Sequence, residues 1–183
     1  MRKIKSLLFL ALVIVMLFSL VSCEKKVEEN EAKELVKNLV SESCKLNEIL
    51  YGKGLPFEDN ESENKYAPVS IDAEYKTLFS LKEKIRGVFT SSYSNSLIEY
   101  IFSYTPGVYG GGIYPRYEEQ GGWLVVLKDY NVREITEYDY DTIEIKKIKR
   151  KEIKATIKST ENETVEIVLI KEADGWRLDS ATV

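Results

Sequence analysis

The stretch TVEIVLIKEADGWRL, residues 164–178, decides the fold class of this chain. Its first eight residues are mainly β-branched and aliphatic, which is typical of a β-strand. The pair Asp174-Gly175 is a strong signal for a two-residue hairpin, after which residues 176–178 return as a second strand. We expect a positive φ at Gly175, a type I′ turn, and Trp176 packed under the sheet.

More strands precede this hairpin. The buried-strand sequence WLVVL, residues 123–127, follows a turn signal at Gly121-Gly122. Apolar and charged residues alternate over residues 143–157, and their phase slips near residues 147–151, which predicts a bulge or bend in one long strand. A turn is expected at residues 161–163. The sequence therefore predicts an antiparallel meander of four or five strands.

The N-terminal half follows the helical period instead. Apolar residues recur every three or four positions over residues 31–51, which predicts one long amphipathic helix. A capping box at residues 80–83 predicts a second helix, and Ser94 or Asn95 is expected to cap a third. Residues 53–70 are predicted to form a long loop. Helices followed by strands indicate one α+β domain, residues 31–183, with N-terminal helices packed on the curved meander.

The first 22 residues have the pattern of a secretion signal. Residues 2–5 carry three cations, and an almost unbroken apolar run follows over residues 7–20. The tetrad Leu20-Val21-Ser22-Cys23 resembles the lipobox of bacterial lipoproteins. That resemblance implies cleavage before Cys23, acylation of Cys23 with fatty acids such as palmitate, and extracytoplasmic attachment to the cell membrane.

The lipobox interpretation divides the chain into a signal peptide (1–22), a lipidated cysteine with a charged tether (23–30), and the domain. An ordinary signal peptide with a chance cysteine is the alternative. Loss of residues 1–22 takes the formal charge from -4 to -7. Such an acidic chain argues against electrostatic binding of nucleic acid or of anionic lipid headgroups.

The chain contains no histidine. This removes every Ser-His-Asp or Cys-His arrangement and every imidazole metal site. Once Cys23 is acylated, Cys44 is the only thiol, and we interpret it as a small buried apolar residue. We therefore expect no catalytic residue, no metal and no cofactor, and hence a protein that is not an enzyme.

Two charged clusters are possible sites. Carboxylates are densest at Glu137, Asp139, Asp141 and Glu144, but neighbours at a spacing of two lie on one exposed strand face and do not flank a cleft. The basic run at residues 146–151 is interpreted as a solvated sheet face or edge. Its alternative is a cradle for an anionic wall polymer.

A tyrosine- and glycine-rich segment near residues 104–117 is the candidate interaction site. Tyrosine provides contact area at low entropic cost, and glycine provides adaptability. The alternative is that some of these rings close the core. With the acidic run after residue 57 included, the candidate contact residues are Tyr109, Tyr114, Tyr117, Glu58, Asp59 and Glu61.

Several phrases together resemble one family. They are YKTL (75–78), LKEKI (81–85), VFT (88–90), YE (117–118), GWL (122–124), EIVLIK (166–171) and DGWRL (174–178). In this order they resemble the IseA-like inhibitors of DL-endopeptidases, and the last phrase also resembles NTF2-like and cystatin-like lipoprotein domains.

The resemblance to IseA-like proteins implies a non-enzymatic monomer that docks on a cysteine peptidase of the NlpC/P60 type, a cell-wall hydrolase, and blocks its cleft. An NTF2-like lipoprotein that binds a small solute or a wall polymer is the alternative. No nucleic-acid partner is expected.

Overall fold

A computed structural model describes residues 27–58, 63–106 and 112–182 of the chain. Within these ranges the helices are α1 (Glu29–Leu50), α2 (Leu78–Val88) and α3 (Ser91–Phe102). The strands are β1 (Tyr66–Pro68), β2 (Thr105–Pro106), β3 (Gly112–Ile113), β4 (Tyr117–Gln120), β5 (Trp123–Leu127), β6 (Tyr138–Ile148), β7 (Glu152–Ser159), β8 (Thr164–Glu172) and β9 (Gly175–Leu178). The predicted α+β class is confirmed.

The strands form separate antiparallel sheets. Strands β6, β7, β8 and β9 pair in chain order and make a four-stranded meander. Strand β5, which the sequence placed in the same meander, lies between β1 and β4 in a three-stranded sheet, and β2 pairs with β3. The predicted loop over residues 53–70 therefore contains one short strand, β1, which was missed because three residues are too few to show a period.

The prediction of one long bent strand over residues 143–157 is wrong. Strand β6 ends at Ile148 and β7 begins at Glu152, and the turn between them is closed by a 2.8 Å hydrogen bond from the Lys149 amide to the Glu152 carbonyl. The turn residues, KRK at 149–151, include none of the Gly, Asn or Asp that usually mark a hairpin. The sequence therefore contains a slip in the alternation of apolar residues but no turn signal.

The last hairpin forms as predicted, with a different turn. Gly175 pairs with Glu172 and has a φ of 145°, so the loop residues are Ala173 and Asp174. A type I′ turn needs positive φ at both central residues, whereas Asn162 is the only non-glycine among the described residues with positive φ. The predicted turn type is therefore wrong, and Trp176 packs half-buried at the margin of the core.

Both short helices begin earlier than predicted. The Thr77 hydroxyl accepts a hydrogen bond from the Ser80 amide at 3.1 Å, which makes Thr77 the N-cap of α2. Thr90 caps α3 in the same way through the Tyr93 amide at 3.3 Å. Ser80 and Ser94 consequently lie inside the first turns. Rows of hydroxyl residues offer several equivalent caps, and the sequence alone does not choose among them.

The core lies between α1 and the four-stranded meander. Residues Ala32, Val36 and Val40 on α1 are fully buried. So are the inward residues of β7 to β9, which are Ile153, Ala155, Ile157, Ile167, Leu169 and Leu178. A helix face of period 3.6 thus packs against a sheet face of period 2, and the apolar surface of each is removed from water.

Candidate functional site

Two tyrosines stack on the surface beside the β2–β3 pair. The ring centroids of Tyr104 and Tyr114 are 5.2 Å apart, and the Lys65 ammonium lies 4.0 Å from the centroid of Tyr114. Tyr104 is 48% exposed, Tyr114 is 38% exposed, and the adjacent Ile113 is 70% exposed. We call Lys65, Tyr104, Ile113 and Tyr114 the tyrosine patch. It presents aromatic and aliphatic area with one cation at its margin.

Strand pairing builds the tyrosine patch. Thr105 pairs with Ile113 and Pro106 with Gly112, which brings the flanking Tyr104 and Tyr114 together. A Cβ at Gly112 would lie only 2.4 Å from the hydroxyl oxygen of Tyr104, so a glycine is required for this ring to lie over the strand. The segment that joins β2 to β3, including the predicted contact residue Tyr109, lies outside the described residues.

The acidic run begins close to this surface. Phe57 bridges to Val69, and the Glu58 amide donates to the Pro68 carbonyl at 3.0 Å, so the chain before Asp59 follows the edge of β1. Strand β1 begins at Tyr66, next to Lys65 of the tyrosine patch. Glu58 is exposed, whereas Asp59 and Glu61 lie outside the described residues.

Tyr66 links the edge strand to the patch. Its hydroxyl donates to the Pro115 carbonyl at 2.7 Å. Burial raises the pKa of Tyr66, and the neighbouring Glu118 carboxylate raises it further. The phenol therefore stays protonated and keeps its donor role, which holds residues 114 and 115 against β1.

Tyr117 is a core residue and does not present its ring to a partner. It is fully buried, its hydroxyl donates to the Ile49 carbonyl at 2.9 Å, and it accepts from the Leu55 amide at 2.8 Å. The interpretation of Tyr117 as a contact residue is therefore wrong. Successive side chains of a strand point to opposite faces of the sheet, so the sequence near Tyr117 does not show which face its ring occupies.

Arg116 is a buried residue that the sequence analysis missed. It is only 3% exposed, its Nη2 donates to the Gly52 carbonyl at 2.7 Å, and its guanidinium lies 4.3 Å from the Tyr130 ring centroid. The last turn of α1 has no basic residue of its own. Arg116 therefore supplies a cation beside the negative end of that helix. Because this contact spans 64 residues, no local sequence signal could have found it.

An open groove of about 1340 Å³ runs beside the C-terminal half of α1. Its lining comes from α1, including Cys44, from residues 132–138 and from the turn between β7 and β8. Its carboxylates are Glu48, Glu74, Glu134, Glu137, Glu161 and Glu163, against the cations Lys45, Lys53 and Arg133. We call this the acidic groove.

The thiol in the acidic groove is not set up as a nucleophile. Burial is the main cause that raises the pKa of Cys44, and its Sγ lies 3.9 Å from the Thr136 carbonyl, to which it donates. A neutral thiol without an imidazole base is a weak nucleophile. Cys44 packs half-buried against the core, as the sequence predicted.

The carboxylate cluster on β6 has a local structural role. The Asp139 side chain accepts a hydrogen bond from the Asp141 amide at 3.1 Å, within a register shift of the strand. No group of three potential acidic or cysteine ligands for a metal occurs in the part of the chain that the structure describes. Over the same ranges, no helix combines the length and apolar character needed to cross a bilayer.

No protein-family model matches this chain, and comparisons with curated proteins and with solved structures found no significant match. The fold and the surface define an α+β domain with an exposed aromatic patch on one sheet and an acidic groove along helix α1. A fold of this kind does not by itself specify a function, which depends on particular surfaces such as these two.

Proposed function

We propose that this protein is a cell-envelope lipoprotein whose α+β domain inhibits or restrains a peptidoglycan DL-endopeptidase and is not itself an enzyme. The observation that carries the proposal is the tyrosine patch, in which two partly exposed rings stack beside an exposed isoleucine. Aromatic residues dominate the energetic centres of protein interfaces. Membrane attachment through Cys23 would place this surface where cell-wall hydrolases act.

The geometry of the patch suits insertion into a cleft. Tyr104 and Tyr114 have little rotational freedom because the two rings rest on each other and Tyr104 also lies over Gly112. Rings held in place before binding lose little entropy when a partner covers them. The Lys65 ammonium at the margin would complement acidic residues at the rim of the partner's cleft. The nearby Glu58 carboxylate would complement basic residues there.

The second candidate, binding of a small solute or a wall polymer, is favoured by one observation, the acidic groove. Its volume of about 1340 Å³ exceeds the usual range of small-molecule pockets, roughly 300–1,000 Å³. Half of its described lining residues are charged and it is open along one side, whereas a small-molecule site is concave and mostly apolar. The residues between α1 and the meander are fully buried, so the described core leaves no apolar cone for a solute.

The double substitution Tyr104→Ala/Tyr114→Ala tests the role of the patch. We expect inhibition of a purified DL-endopeptidase to weaken by about 1 kcal/mol or more, roughly five- to tenfold in the inhibition constant, because anchor tyrosines carry such energies. The melting temperature should change little, since both rings are substantially exposed. The measurement is a titration of peptidase activity with wild-type and variant protein.

Tyr100→Ala is the matched control, because Tyr100 is 69% exposed on α3 and is not part of the patch. Its inhibition constant should equal that of the wild type. Unfolding of the double variant would assign the rings to the core. A wild-type domain that neither binds nor slows any such hydrolase would instead favour the ligand-binding candidate.

Cys23→Ala tests the lipid anchor. One acyl chain holds a protein to a membrane only marginally, whereas two or more hold it stably. The variant should lose acylation and accumulate as uncleaved precursor or as soluble protein, which intact-mass measurement and membrane fractionation would detect. An unchanged mature mass with full membrane retention would contradict the lipobox interpretation.

A further inference from the structure

The link between the proposed lipid anchor and the folded domain is short. Val27, the first described residue, already packs against the core, and α1 begins two residues later. Three residues, 24–26, lie between Cys23 and Val27. The four peptide steps from Cys23 to Val27 span at most about 14 Å, whatever conformation they adopt. An acylated Cys23 would therefore hold the start of the domain within about 14 Å of the lipid attachment.

The tyrosine patch is connected to the C-terminal end of α1. The Tyr117 hydroxyl donates to the Ile49 carbonyl at 2.9 Å, one residue before the helix ends. Tyr114 of the patch precedes Tyr117 by three residues. The helix has 22 residues and is about 33 Å long, at about 1.5 Å per residue. A rigid element of known length thus joins the anchored end of the domain to the neighbourhood of the patch.

These lengths limit how far the patch can stand from the membrane. From Val27 to Ile49 the chain covers about 37 Å, most of it helical. The Tyr117 side chain and the three residues back to Tyr114 add at most roughly 20 Å. Tyr114 consequently lies no more than about 75 Å from Cys23 in any orientation of the domain. A partner of the patch must come within that distance of the lipid anchor.

The apolar centre of the patch is small. Aromatic side chains bury about 150–250 Å² each when they are covered completely. Tyr104 is 48% exposed and Tyr114 is 38% exposed, so the two rings can still bury roughly 130–210 Å² between them. A standard interface buries about 800 Å² on each partner. Even with Ile113 added, this centre predicts weak binding between molecules that are both free in solution.

We propose that the peptidase restrained by the tyrosine patch is attached to the same membrane, and that shared attachment supplies most of the inhibition. This inference rests on the proposed function and on acylation of Cys23. Two molecules confined to one surface layer meet at a high effective concentration, which can strengthen binding by about 10²–10⁴-fold without any new contact. A weak contact then suffices for a membrane-attached peptidase, whereas a freely secreted one mostly escapes.

The short link favours such a partner over peptidases held further out in the wall. A long flexible tether would let the patch search a deeper layer and would lower the effective concentration within it. Three residues permit little of this search. The domain therefore stays in the layer that membrane-attached proteins also occupy.

The test compares one peptidase on and off the membrane. The intact lipoprotein is reconstituted into vesicles that contain a nickel-chelating lipid. A DL-endopeptidase of the NlpC/P60 type with an N-terminal hexahistidine tag is added, with a soluble peptidoglycan fragment as substrate. Imidazole releases the peptidase into solution, whereas this chain contains no histidine and does not rely on nickel for its attachment. Each activity is compared with that of identical vesicles lacking the lipoprotein.

We expect half-inhibition of the attached peptidase at an amount of lipoprotein at least roughly tenfold lower than the released peptidase requires. The released peptidase should need roughly micromolar protein or more. Placing the lipoprotein and the peptidase on separate vesicles should remove the gain. Tyr104→Ala/Tyr114→Ala should weaken inhibition of the attached peptidase, whereas Tyr100→Ala, on α3 and outside the patch, should not.

Equal half-inhibition on and off the vesicles would overturn this proposal and leave the proposed function standing. Nanomolar inhibition of the released peptidase would do the same. Absence of inhibition in both arrangements would refute the proposed function itself. Protein purified from membranes without acyl chains would also overturn the proposal, because it would remove the anchor.

The natural partner can be captured in intact cells. A photo-crosslinking amino acid in place of Ile113, which is 70% exposed, would mark what touches the patch. We expect the product to contain a DL-endopeptidase that carries a membrane anchor of its own, identified by mass spectrometry. The same amino acid in place of Tyr100 should capture no such enzyme. Capture at Ile113 of a secreted peptidase without an anchor would contradict the proposal.

Discussion

Tyr117→Ala is expected to lower the free energy of unfolding by about 3–5 kcal/mol, the range found when large core residues are truncated. Tyr117 is fully buried and joins three parts of the molecule. Its ring lies in the core, its strand pairs with β5, and its hydroxyl bonds to the Ile49 carbonyl and the Leu55 amide. Chemical denaturation, with the slope compared between wild type and variant, measures the effect.

Tyr117→Phe separates packing from hydrogen bonding at this position. It keeps the ring and removes only the hydroxyl, so a buried carbonyl and a buried amide lose a partner, at a cost of about 1–3 kcal/mol. Its loss of stability should therefore be clearly smaller than that of the alanine variant. A Tyr117→Ala protein as stable as the wild type would show that this side chain is not part of the core.

Gly54→Ala is expected to cost about 2–3 kcal/mol, because two penalties coincide there. Gly54 has a φ of 86°, which L side chains rarely adopt, and a Cβ would lie 2.2 Å from Nη2 of the buried Arg116. The guanidinium would have to leave the Gly52 carbonyl to make room. The loss of unfolding free energy should appear in the same denaturation experiment.

Gly87→Ala is the matched control for that substitution. Gly87 lies within α2, where a Cβ would meet nothing within 4 Å. Alanine favours the helix by about 0.8–1.0 kcal/mol over glycine, so this variant should be more stable than the wild type. If Gly→Ala lowers the free energy of unfolding at position 54 and raises it at position 87, then Gly54 is required because of its positive φ and its contact with Arg116. Destabilisation at both positions would contradict the account of Gly54.

The residues that stabilise the end of α1 also adjoin both the tyrosine patch and the acidic groove. Arg116 and Tyr117 hold the turn after Leu50, and they follow Tyr114 of the tyrosine patch with only Pro115 between. The same turn borders the acidic groove through Lys53. Substitutions in the patch are therefore best confined to the exposed rings, and a loss of inhibition that accompanies a loss of stability should be assigned to the scaffold.

The candidate site was only partly predictable from the sequence. The tyrosine- and glycine-rich segment was identified by composition, and Tyr114 is indeed exposed, next to a tyrosine with which it stacks. Composition could not separate Tyr114 from Tyr117, three residues away, because the direction of each side chain depends on strand pairing. The contribution of Lys65 was also hidden, since Lys65 lies just before β1 and far from Tyr114 in the sequence.

The sequence by itself determined the α+β class, the first helix, the strands at residues 123–127 and 164–178, and the glycine with positive φ at the last turn. These features follow from the local periodicity of apolar residues and from turn residues, which do not require contacts with distant parts of the chain. Only the tertiary structure decided that residues 146–151 turn back as a hairpin, that β5 joins a separate sheet, and that Arg116 lies at the end of α1. The sheet position of β5 and the position of Arg116 depend on contacts between residues far apart in the chain, which local sequence patterns do not encode. The hairpin turn is local, but it lacks the glycine, asparagine or aspartate that usually marks one.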